Sequence, residues 1–157
     1  MATTTVPALA IQHFEILKDE EIAAPIDIVF ETILEQMGPY MESPDGTSLQ
    51  MKLEAWPGGR WFRDLGSNRG HLWGHVQSIK APELLEIQGP LFMSSAVLSH
   101  LLYRLTAEGG KTRVRFSHRA AGLIAPEISD GVRVGGGWGK MMSRVRDAAE
   151  RAAKEKK

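Results

Sequence analysis

The sequence predicts a single α+β domain in which a curved antiparallel sheet of about seven strands wraps around a long C-terminal helix. Three observations carry this. The chain has 157 residues, one domain by the usual size relation, and such a chain buries roughly 70% of its unfolded surface without cross-links. From Leu49 to Gly122, short β-branched and aromatic runs alternate with turn dipeptides about every ten residues. From Glu127 onward, Val132, Trp138, Met141, Met142, Val145, Ala148, Ala149 and Ala152 mostly follow a 3.6-residue period. A sheet with one apolar face has to be covered, and only the last helix is long enough to do so.

In chain order, His13 to Ile22 places Phe14, Ile16 and, less cleanly, Ile22 at even positions, the alternation of a half-buried strand. Ala24-Pro25 opens a short amphipathic helix in which Ile26, Val29, Phe30, Ile33, Leu34 and Met37 recur at helical spacing. Gly38-Pro39 stops it, and residues 41–47 read as turns and loop. Six strands follow near 49–56, 59–65, 70–80, 83–89, 96–107 and 111–121, punctuated by Pro57-Gly58-Gly59, Ser67-Asn68-Arg69-Gly70, Ala81-Pro82, Gly89-Pro90 and Gly109-Gly110. The closing helix starts between 127 and 138. Each glycine of Gly135-Gly136-Gly137 costs a helix ~1 kcal/mol, so its regular part is expected from Trp138.

Strand parity assigns the faces. Met51, Leu53 and Ala55 share one side, as do Val97, Leu101, Tyr103 and Leu105, and Val114, Phe116 and Ala120; His118 falls on that last apolar face. In 70–80 parity is ambiguous, with Trp73 and Ile79 on one side and Leu72 and Val76 on the other. The helix brings Trp138, Met141, Met142 and Val145 against these faces. The candidate lining of an interior cavity is therefore Trp61, Trp73, Met93, Tyr103, Phe116, His118, Trp138, Met141 and Met142. The same residues would also fill a solid core, methionine being the usual gap-filler, and spacing alone favours core filling.

Composition excludes more than it selects. The chain has no Cys, so disulfides, thiolate metal sites and a cysteine nucleophile are out, which fits a reducing compartment. Nineteen Lys and Arg balance nineteen Asp and Glu, so no electrostatic footprint recommends nucleic acid or an anionic membrane. No secretory signal opens the sequence and no apolar run is long enough to span a bilayer; a soluble, cytoplasmic protein without membrane insertion is expected. The C-terminal Arg and Lys residues complement the end of a helix.

The motifs tested for chemistry mostly fail. His71 and His75 would lie ~13 Å apart along a strand, too far for one ion, and His100 and His118 have no acidic cluster beside them, so no metal is expected. Gly135-Gly136-Gly137-Trp138-Gly139-Lys140 lacks the phosphate-loop spacing and its Ser or Thr, and no cofactor is expected. Ser117-His118 and Ser99-His100 point to opposite strand faces, so neither is a nucleophile with its base. His118 remains the polar candidate for a pocket, either an anchor or acid–base group or a structurally satisfied histidine. Arg60, Arg63 and Asp64 around Trp61 and Phe62 are candidates for holding an anionic group at a pocket mouth, although a solvated face explains them equally.

Together, IAAPIDIVFETI at 22–33, WPGGRWF at 56–62, GHLWGHV at 70–76 with the PELLEI strand at 82–87, YRLTAEGGKTRVRFSHRAAG at 103–122 and GGW at 136–138 are more specific than any one of them. This combination, covering about residues 13–152, resembles the START-like (SRPBCC) superfamily, and within it the branch similar to the C-terminal domain of the activator of heat-shock-protein-90 ATPase. The resemblance implies a helix-grip fold, with two short helices after the first strand closing one end. It also implies a deep hydrophobic cavity, used across the superfamily for lipids, sterols, polyketides and plant hormones. By the same resemblance Pro25 marks the start of the first helix, Pro57-Gly58-Gly59 a hairpin turn, His118 the end of the last strand and Gly137-Trp138 the entry to the gripping helix. All are scaffold or cavity positions, and no catalytic residue is implied. The expected partner is a hydrophobic small molecule bound by a monomer or homodimer. Alternatives are a co-chaperone-like, stress-linked protein with a chaperone as partner, and a cyclase- or dehydratase-type enzyme using His118. The 157 residues leave no room for the separate N-terminal domain of the eukaryotic co-chaperone, so ATPase activation is not expected of this chain.

Overall fold

The computed structural model describes residues 2–5, 10–129 and 132–156, and only the backbone of 132 and 133. Strand β1 (Gln12–Ile22) leads into helix α1 (Ile26–Met37), followed by β2 (Met51–Leu53), β3 (Arg60–Gly66), β4 (Arg69–Lys80), β5 (Leu84–Gly89), β6 (Val97–Glu108) and β7 (Lys111–Gly122). A one-turn helix α2 (Pro126–Ser129) precedes the long α3 (Val132–Glu155). The strands form one seven-stranded antiparallel sheet in the order β1-β7-β6-β5-β4-β3-β2. Strands β2 to β7 run as a meander, and β1 joins beside β7 along its full length, Gln12 opposite Gly122 and Ile22 opposite Thr112. This is the helix-grip fold. Among the described residues no helix is long and apolar enough to cross a membrane.

Local chemistry explains the elements. Pro25 sits at the N-cap of α1 with φ −62°, its ring holding the backbone angle a helix entry needs, and Asp27 places a negative charge in the first turn. The helix ends at Gly38, and further turns follow, with the Tyr40 N–H donating to the Glu35 carbonyl at 3.0 Å. The β6–β7 hairpin turns on Gly109-Gly110, both at positive φ (+59° and +84°), as the tightest hairpin turns require.

The ambiguous strand owes its mixed pattern to two irregularities. The β3–β4 register shifts between Trp61 and Phe62, and the β4–β5 register between Val76 and Ser78. Each shift inserts one residue and flips the parity beyond it. Trp73 and Val76 are therefore both buried and Ile79 half-buried, three residues apart, while Leu72 is exposed.

Two expectations are corrected. Strand β2 ends at Leu53, so Ala55, assigned to the apolar face by alternation, is exposed in the turn that carries Trp56 and Gly58. Helix α3 starts at Val132 and takes all three consecutive glycines into its regular part. A Cβ at Gly135, Gly136 or Gly137 would meet nothing within 4 Å. The first turns of α3 therefore run past open space there.

Trp138, Met141, Met142, Val145 and Ala149 turn one face of α3 to the core. The far half of α3 is tied to the start of the domain: Arg146 pairs with Glu20, and Glu150 accepts a hydrogen bond from the Ala23 N–H at 3.0 Å.

Candidate ligand cavity

The grip is closed by α1 packing and leaves a hollow at the N-terminal half of α3. The cavity has a volume of about 430 Å³, inside the range of small-molecule sites. Val134, Gly137, Trp138 and Met141, spaced by three and four, form the helical wall. Opposite stand Trp73 of β4 and Phe92 of the β5–β6 connection, with Ile128 of α2 at one side. The α1–β2 connection closes the remaining side with Met41, Glu42, Ser43, Pro44 and Leu49, and Lys140 and Arg144 complete the lining. Gly137 contributes volume by having no side chain, since its missing Cβ would point into unfilled space.

Both tryptophans in the wall have their polar atom turned away. The Trp73 indole N–H donates to His71 Nδ1 at 3.1 Å, and the Trp138 indole N–H donates to His118 Nδ1 at 3.0 Å. What they offer the cavity is carbon. Because Nδ1 of His118 accepts, its neutral imidazole carries the proton on Nε2. For His118 that proton goes to Ser99 Oγ at 3.0 Å, while His71 Nε2 lies 3.4 Å from Ser94 Oγ.

His118 is fully buried, edge-on to Phe14 at 4.9 Å and to Trp138 at 5.8 Å. Burial disfavours its cation and pushes its pKa down to about 4. Both ring nitrogens are engaged, so this side chain holds Trp138 in place and has no free nitrogen to exchange a proton with a ligand.

The nine residues expected at the site divide by position. Trp73, Trp138 and Met141 line the cavity. Trp61, Met93, Tyr103, Phe116, His118 and Met142 are buried in the core. Several of these stand directly behind the wall. Trp61 meets Trp73 edge-on at 5.1 Å and donates its N–H to the Met37 carbonyl at 2.7 Å, and Phe116 lies 4.9 Å from the Trp138 ring. The Tyr103 hydroxyl reaches Met141 Sδ at 3.8 Å, and burial raises the phenol pKa above its usual value.

Arg60, Arg63 and Asp64 do not line the cavity. Arg60 is held by both carboxylate oxygens of Glu54, at 2.7 and 2.9 Å, which keeps the Glu54 carboxyl down at about 2. Asp64 pairs with Lys52 at 2.7 Å. Among the described residues, no group of three or more His, Cys, Asp or Glu side chains could hold a metal ion.

Sequence reasoning missed Met41, Leu49, Phe92, Ile128, Val134, Lys140 and Arg144. The helical period on either side of Trp138 contains the signal for Val134 and Arg144. Nothing in a turn-rich segment signals that 41–49 folds back onto α3.

No protein-family model and no curated protein matches the sequence. Solved structures do. An uncharacterised protein from Rhizobium leguminosarum superposes with a TM-score of 0.68 at 18% identity, over 90% of this chain and 97% of that one. CalU16 from Micromonospora echinospora gives 0.56 at 20% identity, over 87% and 80% of the two chains. The Aha1 dimer from Colwellia psychrerythraea gives 0.59 at 14% identity, over 87% and 96%. At these identities the likeness establishes the fold.

Proposed function

We propose that this chain is a binding protein of the START-like (SRPBCC) type, taking an apolar or aromatic small molecule into the hollow beside α3. One observation supports this above the others: the wall is built almost wholly of carbon, with both indole N–H groups hydrogen-bonded to histidine on the far side. A dry carbon wall gains roughly 25 cal/mol for each Å² of apolar surface it covers, against the freedom lost on association.

The test is fluorescence titration with N-phenyl-1-naphthylamine, which is neutral and apolar. Saturable enhancement with a Kd of about 1–100 µM is expected. It should be weakened at least tenfold in Gly137→Leu, which places a side chain in the hollow. Absence of saturation, or equal binding by the variant, would remove this reading.

A second reading, a co-chaperone-like protein in the branch that includes the activator of heat-shock-protein-90 ATPase, is favoured by one feature. Leu17 and Leu98 are each 62% exposed on the outer face of the sheet, where they could meet a protein. Pull-down against a purified bacterial Hsp90, with and without Leu17→Asp and Leu98→Asp, decides it. Capture that the substitutions abolish supports the interaction; no capture ends it.

A further inference from the structure

The polar groups at the rim of the cavity are not neutral in sum. Lys140 and Arg144 lie one turn apart on α3, so their side chains rise along the same flank of the helix. Glu42 faces them from the α1–β2 connection, with Arg144 Nη2 3.9 Å from Glu42 Oε2, at the outer limit of an ion pair. Among the described residues Lys140 has neither an ion pair nor a hydrogen bond. Among the described residues the lining thus carries two cations, Lys140 and Arg144, against one carboxylate, Glu42.

The other polar groups are occupied. The Ser43 hydroxyl is bonded to the Asp45 carboxylate and reaches the Thr47 carbonyl at 3.3 Å, and both indole N–H groups are held by His71 and His118. A ligand seated against Trp73, Trp138 and Met141 therefore meets carbon along its body and an uncompensated positive charge at the mouth.

We propose that the cavity selects amphiphiles with an apolar body and one anionic oxygen head group, the head lying between Lys140 and Arg144. This rests on the cavity-binding reading above and specifies the ligand class. The charge excess calls for a single negative charge. A cationic head is repelled, and an uncharged one leaves Lys140 to water. The anionic head displaces Glu42 from its loose contact with Arg144, so Glu42 acts as the competing carboxylate of the empty site.

The experiment compares heads on one tail. Decanoate, decyl sulfate, decanol and decyltrimethylammonium, the first two monoanions at neutral pH, are each titrated as competitors of N-phenyl-1-naphthylamine. The anions are expected to displace the dye at 3- to 10-fold lower concentration than decanol, and the cation to be weakest. The advantage of the anions should shrink as NaCl rises from 50 to 500 mM, because salt screens charges at an exposed mouth. Equal strength of decanoate and decyl sulfate would assign recognition to the shared charge, whereas preference for one would name a carboxylate or a tetrahedral oxyanion as the head.

In Lys140→Gln/Arg144→Gln the decanol-to-decanoate ratio should fall to near one, and in Glu42→Gln it should rise. These positions are exposed or half-exposed, and Glu42→Gln tests the charge without touching α3. Decanol competing as well as decanoate in the wild type, or an anion preference that survives the double substitution, overturns the head-group assignment while leaving cavity binding in place. Failure of the dye itself to bind removes both.

Discussion

His118 links packing to pH. Its imidazole is neutral in the folded protein because it is fully buried, accepts from Trp138 and donates to Ser99. Its pKa is about 4 when folded and about 6.5 when unfolded. Between those values the unfolded chain binds a proton that the folded chain refuses, so stability falls as pH drops from about 6.5 to 4 and is unaffected by this group above that window. The loss amounts to up to about 3 kcal/mol. Urea denaturation at pH 7 and pH 4.5 should show it, and His118→Leu should lose this component of the slope. The substitution should itself destabilise by about 1–3 kcal/mol, since it leaves the Trp138 N–H buried without an acceptor. An unchanged pH slope in the variant would mean that other groups carry it. Parity placed His118 on the apolar face beside Phe116, but not its bond to Trp138, because no periodicity tells which residue of a helix meets which residue of a strand.

At the scale of elements, α3 holds the expectation most clearly corrected. Three glycines argue for a late helix start, and their propensities are unfavourable by ~1 kcal/mol each. The helix nonetheless begins at Val132. The apolar residues on either side, Val134 and Trp138, both reach the cavity wall, and tertiary contact outweighs local preference. Because a Cβ would meet nothing there, Gly135→Ala and Gly136→Ala should each stabilise the fold by about 0.5–1 kcal/mol, read as a shift of the denaturation midpoint. No gain, or a loss, would show that these residues are not helical in solution. Strand β4 teaches the complementary lesson. Its alternation failed to choose a face because two register shifts set Trp73, Val76 and Ile79 three apart, and a bulge writes no unambiguous signal into a sequence that alternates on both sides of it.

The whole molecule is a sheet closed around a helix at one end and left hollow at the other. That architecture was readable from strand spacing and the long amphipathic ending, because both are repeating patterns. The hollow was readable only in part: Trp73, Trp138 and Met141 belong to patterned elements, whereas Met41, Leu49 and Phe92 come from connections whose turn chemistry says nothing about what they pack against. The methionines offer the most direct examination of the claim that a ligand enters between α3 and the α1–β2 connection. Met41 and Met141 line the cavity, while Met37 and Met51 are buried outside it. With the methionine methyl groups labelled with carbon-13, titration with N-phenyl-1-naphthylamine should move the signals of Met41 and Met141 along one saturable curve and leave Met37 and Met51 in place. Shifts confined to Met37 and Met51, or none at all at saturating dye, would contradict it.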